Sequence, residues 1–318
     1  MRELMVNRNE AGQRLDKLLG KYLNLAEKSF LYKMMRKKNI TLNDKKCCGS
    51  EKLCEGDLIR LWLAEETILK FSEVKVLHLN HSPKLDIIYE DEQILLVNKP
   101  AGMLSQKARD TDVSLVEYII QYLLESGQMQ REELRSFKPS VCNRLDRNTS
   151  GLVVAGKTLP ALQIMASVFK NRSIHKYYQC VVAGNIEEKQ VITGYLKKDE
   201  AGNQVYISKE EAEGSSPIIT EYEPLARNDG YTLLKVTLVT GRPHQIRAHL
   251  ASIGHPIVGD YKYGDPRVNK KAEERYRIRS QMLHSNQVVF PVLSKPLQYL
   301  SGKTYTAPLP DTFRKLFP

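Results

Sequence analysis

Residues 143–158 read NRLDRNTSGLVVAGKT, and this stretch carries a chemical signal and a structural one side by side. Its first half sets one carboxylate, Asp146, between the guanidinium groups of Arg144 and Arg147, with Asn148, Thr149 and Ser150 following at once. An aspartate among fixed cations is favoured as the anion. In that form it is a poor general acid and a competent nucleophile or base. A surface ion pair uses the same residues and is the commoner outcome of such spacing. The second half, GLVVAG (151–156), is a short apolar strand. Thr158 and Pro160 then open a helix bearing Leu162, Met165, Ala166 and Phe169, because a hydroxyl caps the first turn and proline is tolerated there.

Upstream, QILLVNKPAG (93–102) reads as a buried strand broken by Pro100 and Gly102. Ser114 and Glu117 form a capping-box pattern before Leu115, Ile119, Ile120, Leu123 and Leu124, with Gly127 as the stop. Downstream, YYQCVVAG (177–184) and TLLKVTLVTG (232–241) read as strands. Helices and strands are interspersed without regular alternation. The expected fold class is therefore α+β, with a mixed, largely antiparallel sheet in a large domain over residues 85–318. Residues 67–84, ending at Ser82-Pro83, read as a linker. Ahead of it, residues 12–66 form a small α/β unit. There Leu15, Leu18, Leu19 and Tyr22 follow helical spacing, as do Leu31, Met34 and Met35, and Leu58 to Leu63 reads as a strand after the Gly56-Asp57 turn.

Bulk properties narrow the function classes. With 318 residues, 42% hydrophobic and 27% charged, the chain describes a globular protein. No apolar run reaches bilayer length, and Met1 to Met5 lacks a signal-peptide core, so the cytoplasm is the expected location. The five cysteines form no C-x-x-C pair, which points to a reduced, disulfide-free protein. A zinc site on Cys47, Cys48 and Cys54 would lack a nearby fourth ligand. The net charge of +11 points to a polyanionic partner, RNA or DNA first. Basic residues cluster at Lys28, Lys33, Arg36, Lys37, Lys38, Lys45 and Lys46, with Asp44 the one acid in that span. Lys33, Arg36 and Lys37 share one helical neighbourhood.

Two further segments combine polar groups with a strand and turn. One is His175-Lys176-Tyr177-Tyr178 at the start of a strand. The other is TGRPHQIRAHL (240–250), which leaves a strand, turns at Gly241 and resumes helical spacing at Ile246 and Leu250. Singly, each polar residue has an ordinary structural use. Tyr178 suits a half-buried strand position, and Arg247 suits a helix cap. His244 and His249, five apart, lack the metal-binding spacing of H-E-x-x-H.

Together these segments carry a resemblance. Residues 13–61, with QRLDKLL, LYKMMRKKNITLN and GDLIRL, resemble the alpha-L RNA-binding motif. From residue 85 onward the chain resembles the RluA-type family of pseudouridine synthases. VNKPAGM, NRLDRNTSGLVVAGKT, HKYYQCVVAG, TGRPHQIRAHLASIGHPIVGDYKYG, MLHS and APLP occur in the family's order. The resemblance implies that Asp146 is the catalytic aspartate, Tyr178 the active-site aromatic and Arg247 the basic residue that pairs with the aspartate. It favours large-subunit ribosomal RNA as substrate over transfer RNA. Asn143, Pro243 and Cys180 depart from the family's usual histidine, threonine and alanine, which leaves the target more open than the chemistry.

The implied reaction breaks the uracil N1 to ribose C1′ bond and rejoins the base through C5. It is redox-neutral, and the chain shows neither a Walker loop nor a G-x-G-x-x-G, so no cofactor and no metal are expected. Asp146 could attack C1′, as carboxylates do in glycoside chemistry, or remove the C2′ proton to give a glycal. Tyr178 would stack on the uracil and assist proton traffic at C5. A target inside folded RNA must leave its stack, and Arg144, whose planar head stacks as well as pairs, is the candidate to fill the gap. Arg242, His244 and Gln245 are expected phosphate and base-edge contacts, with Lys33, Arg36, Lys37 and Lys38 as a second RNA-binding group. The expected partner is RNA and the expected state a monomer. A non-catalytic RNA-binding or ribosome-assembly protein is the alternative, but it has no need of the Asp146, Tyr178 and Arg247 trio.

Overall fold

The computed structural model describes residues 1–73, 84–199, 202 and 204–317. The first unit runs β1 (Arg2–Met5), α1 (Leu15–Tyr22), α2 (Lys28–Arg36), β2 (Ile40–Leu42), β3 (Lys45–Lys46), β4 (Leu58–Leu61) and α3 (Glu65–Phe71). Its strands form an antiparallel sheet in the order β1-β4-β2-β3. The three helices begin without a side-chain cap hydrogen bond, so packing holds them. Leu15, Leu18, Leu19, Leu31 and Met35 are at most 2% exposed and share one core with Ile40, Ile59 and Leu61. Each such side chain contributes about 1.5–3 kcal/mol on burial, more than the ~1 kcal/mol of a cap.

Two expected boundaries move. β1 lies ahead of residue 12 and pairs with β4, while α3 occupies the start of the expected linker and buries Ile68 in the same core. A four-residue edge strand and a seven-residue helix are too short for periodicity to register. Residues 74–83, including the Ser82-Pro83 end of that linker, lie outside the described residues.

The second unit comprises β5 (Ile87–Glu90), β6 (Ile94–Lys99), α4 (Leu115–Glu125), β7 (Ser140–Val141), β8 (Ser150–Gly156), α5 (Leu159–Lys170), β9 (His175–Ala183), β10 (Gln190–Asp199), β11 (Gln204–Ser208), β12 (Ser216–Asn228), β13 (Tyr231–Leu238), α6 (Gln245–Ser252), α7 (Pro266–Tyr276), β14 (Leu283–Val289), β15 (Thr304–Thr306) and α8 (Asp311–Leu316). Its sheet runs β11-β10-β12-β13-β9-β14-β8-β6-β5, with β15 on β14 and β7 on β8. Strand alternation divides the core. Leu95, Val97, Val153 and Ala155 face Leu115, Ile119 and Leu123 of α4, while Ile94, Leu96, Leu152 and Val154 face Ala161 and Met165 of α5. The capping box at Ser114 and the Thr158 cap both form as expected.

Every pairing among the described strands is antiparallel except β14 with β8, where His284 and Ser285 lie against Ser150 and Gly151. Ser285 is also the partner of Tyr178 across β9. One row therefore runs Gly151, Ser285, Tyr178 across three strands. The close approach requires glycine: a Cβ on Gly151, whose φ is +110°, would sit 2.2 Å from the Ser285 carbonyl oxygen. This junction brings the end of the Asp146 loop beside the tyrosine.

Candidate active site

The loop between β7 and β8 that carries Asp146 is tied down on both sides of it. Ser105 Oγ donates to the Leu145 carbonyl at 2.8 Å and accepts the Leu145 N–H at 3.0 Å. Lys99 Nζ donates to the carbonyls of Pro100, Met103 and Arg147 at 3.0, 2.8 and 3.1 Å. Burial pulls its pKa down to about 7, and three acceptors match the three N–H bonds of the ammonium form. Arg147 Nε donates to the Gly102 carbonyl at 3.1 Å. The second arginine of the opening motif is thus a loop tie, not a partner of Asp146. Arg144 is exposed and makes no ion pair among the described residues.

Asp146 emerges into a cleft of about 640 Å³ lined also by Arg144, Lys176, Tyr178, Arg242, His244 and Arg247. Arg247, on α6, is the cation that meets it. Its Nη1 donates to Asp146 Oδ2 at 2.8 Å, while Nε and Nη2 donate to the two oxygens of Asp260 at 2.7 and 2.9 Å. Asp260 is 1% exposed and further accepts the backbone N–H groups of Lys262 and Tyr263 at 2.9 and 3.1 Å. Burial opposes the charge of Arg247, but Asp260 first and Asp146 next outweigh it, and its pKa lies above the ordinary value. Burial likewise opposes the Asp260 carboxylate, yet Arg247 and the two N–H groups hold its pKa below the usual range. Asp260 fixes the guanidinium, and the guanidinium fixes Asp146.

Tyr178 is 7% exposed at the cleft wall. Burial pushes its pKa to about 12, with Ser285 partly offsetting and Asp146 adding to the rise. The hydroxyl therefore stays protonated at neutral pH. At the cleft wall it presents a ring face and an O–H donor.

His244 precedes α6 in a left-handed conformation, φ 53°. Its Nδ1 lies 2.9 Å from the Tyr263 hydroxyl, which also accepts the Val205 N–H at 2.9 Å. Its Nε2 points at Asp146 Oδ1, 4.0 Å away. Burial lowers its pKa, with Asp146 opposing, so a neutral imidazole faces the carboxylate near pH 7. Gln245 departs from its expected role as an RNA contact. It is 2% exposed, and its amide is spent on Thr240, the Arg242 N–H, the Ile219 carbonyl and Thr220. It shapes the turn before α6 and has no group left for a base edge. Arg242 is exposed at the rim. Lys33, Arg36, Lys37 and Lys38 are exposed on the first unit and do not line this cleft.

Asn143 turns inward, its amide accepting the Val154 N–H at 2.8 Å and donating to the Leu152 carbonyl at 3.3 Å. Asp260, Tyr263, Ser105 and Lys99 were not singled out in the sequence. Local pattern offers no handle on Asp260, because a Gly-Asp pair before an aromatic also describes an ordinary turn. The turn that carries it requires its neighbour Gly259, whose φ is +77° and whose added Cβ would sit 2.2 Å from the Ser280 carbonyl oxygen.

This geometry can be set against known proteins. Residues 93–252 match the family described as RNA pseudouridylate synthase. An uncharacterized RNA pseudouridine synthase of Mycoplasma genitalium is 31% identical over 92% of this chain and 90% of its own length. Ribosomal large subunit pseudouridine synthase D of Neisseria meningitidis is 30% identical over 95% of this chain and 77% of its own. Ribosomal large subunit pseudouridine synthase C of Vibrio cholerae is 28% identical over 92% and 90%. Among solved structures, human RNA pseudouridylate synthase domain containing 4 superposes with a TM-score of 0.58 at 18% identity, covering 73% of this chain and 92% of that one, which supports the fold. A family match across half the chain, together with relatives at 30% identity or more along most of its length, establishes that this protein belongs to the RNA pseudouridylate synthase family.

Proposed function

We propose that this protein converts uridines of large-subunit ribosomal RNA to pseudouridine, with Asp146 as the reacting carboxylate. One observation carries the assignment. Arg247 is locked onto buried Asp260 and holds Oδ2 of Asp146, so Oδ1 faces the open cleft without a hydrogen bond among the described residues. A carboxylate oriented by a fixed guanidinium, with one oxygen open to the cleft, is equipped to act at a sugar carbon.

Two routes lie open to that oxygen. It bonds to C1′ as the N1–C1′ bond breaks and leaves again when C5 bonds to C1′. Alternatively it takes the C2′ proton, giving a glycal, and returns it afterwards. In both, uracil leaves as an anion, turns, loses the C5 proton and gains one at N1, so atoms and charge balance. Tyr178 holds the base by its ring while its hydroxyl remains a donor. Arg144 fills the stack vacated by the target, consistent with its exposure and with its having no ion pair among the described residues.

The ribosomal substrate is supported by the names of the relatives from Neisseria meningitidis and Vibrio cholerae. Ribosomal RNA would place the enzyme in the cytoplasm. Asp146, Arg247, Asp260 and Tyr178 come from one chain, which supports action as a monomer. The first unit, with Lys33, Arg36, Lys37 and Lys38 exposed, would hold RNA outside the cleft. Carbodiimide mapping of pseudouridine in cellular RNA, with and without this protein, tests the assignment. Loss of one or a few large-subunit signals is the expected result. Persistence of every ribosomal signal with loss of a transfer-RNA signal would overturn the substrate, and persistence of all signals would overturn the activity.

A further inference from the structure

The chain has a single tryptophan, Trp62, and it is 52% exposed although its neighbours Leu61 and Leu63 lie in the core. Its placement follows from register. β2 pairs with β4 through Ile40 and Leu61, both wholly buried. The ladder runs one residue further, the Trp62 N–H donating to the Asn39 carbonyl at 2.8 Å. Side chains alternate along a strand, so Trp62 projects from the face opposite the helical core. Directly across stands Asn39, the residue after Arg36-Lys37-Lys38. Opposed residues of an antiparallel pair lie about 5 Å apart at Cβ. Register thereby places Trp62 beside the basic turn.

Those three cations are unengaged. Arg36, Lys37 and Lys38 are exposed and make no ion pair among the described residues. Arg60, on the same face of β4 as Trp62, differs: it is paired with Glu3 at 2.7 Å and with Asp44. The Asn39 amide donates to Met34 Sδ at 3.5 Å. An exposed aromatic face bordered by unpaired cations is the combination that binds single-stranded nucleic acid, the ring stacking on a base and the cations meeting its phosphates. An apolar protein partner fits less well, because the same face of β4 carries the charged group of Arg60 with Glu3 and Asp44.

We propose that Trp62, with Arg36, Lys37 and Lys38, forms a second RNA-binding site outside the catalytic cleft, taking one unpaired nucleotide by stacking. This rests on the reading of the first unit as an RNA-holding module and adds its contact and its preference. Bases inside a duplex are stacked on each other and have no free face, so the site selects unpaired over paired RNA.

The single tryptophan supplies the test. The full-length protein is titrated with an eight-residue oligoadenylate, which contains no uridine to modify, and with a blunt RNA duplex of equal charge. Binding is followed by anisotropy of the labelled RNA and by tryptophan fluorescence. Saturable quenching by oligoadenylate at the anisotropy midpoint is expected, with little quenching by the duplex. Trp62→Ala should weaken oligoadenylate binding roughly 5- to 150-fold, as loss of one base–aromatic stack implies, and Trp62→Phe should restore most of it. Binding by anisotropy without quenching, or unchanged affinity in Trp62→Ala, overturns the proposal while leaving an RNA-holding first unit standing. No binding at all overturns both, and leaves the assignment of Asp146 to be judged separately by pseudouridine mapping.

Discussion

Two segments grip the same guanidinium and end with opposite tasks. Residues 257–263 present Asp260, which gives Arg247 both oxygens, takes two backbone N–H groups besides and has no exposed side-chain surface. Residues 143–149 present Asp146, which gives one oxygen, keeps 29% of its side chain exposed and leaves the other oxygen to the cleft. The chemistry of the two pairs is alike. Their difference is completeness: the carboxylate with both oxygens engaged is an anchor, and the one with a free edge is the reagent we propose.

The largest test of that contrast is Asp260→Asn. Removing the buried partner leaves the guanidinium only the partly exposed Asp146, a loss that approaches the ~3–5 kcal/mol of a broken buried pair. Urea unfolding should show this loss, whereas Asp146→Asn, with Arg247 still on Asp260, should change stability by less than about 1 kcal/mol. Equal losses would erase the distinction between anchor and reagent.

The frame beneath both segments can be loaded by acid. His284 is wholly buried at the β14–β8 junction, its Nδ1 2.8 Å from Ser150 Oγ, and burial brings its pKa down to about 4. The unfolded chain takes up that proton near pH 6.5 and the folded chain only near 4. Stability should therefore fall as pH drops across that window, by about 3 kcal/mol in all. Unfolding curves of His284→Gln at pH 7 and 4.5 should lose most of this slope. An unchanged slope would place the acid sensitivity elsewhere.

Smaller effects address how RNA meets the reagent side. Arg144→Ala should slow modification of structured RNA about tenfold and leave a short flexible strand nearly unaffected, since only the former has a stack to open. Equal slowing of both would assign Arg144 to simple charge attraction. Replacing Lys33, Arg36, Lys37 and Lys38 by alanine should lower the slope of log affinity against log salt by about 3, if each meets a phosphate. An unchanged slope would take these residues off the RNA.

What could be read from the sequence follows the same division between local and distant. The strand at 151–156, the capping box at Ser114 and the helix after Thr158 are local patterns, and the structure keeps all three. The order of the sheet is not local. The parallel pairing that sets Gly151 against Ser285 joins segments far apart in the chain, and no spacing announces it. Asp146 was conspicuous because arginines flank it, yet those arginines are not its partners. Its partner is Arg247, and the residue that fixes Arg247, Asp260, looks like a turn aspartate. Gln245 misled for the converse reason: a polar residue between Arg242 and Arg247 reads as a contact until its four internal hydrogen bonds are seen.

The central claim is that the free edge of Asp146 performs the chemistry. Forming a C5–C1′ bond must expel the C5 hydrogen, so RNA carrying tritium at uridine C5 reports the reaction directly. Under single-turnover conditions the native protein should release tritium, and Asp146→Asn, folded to the same stability, should release it slower by a factor on the order of 10⁴ or more. Release by Asp146→Asn at a rate near that of the native protein would contradict the account.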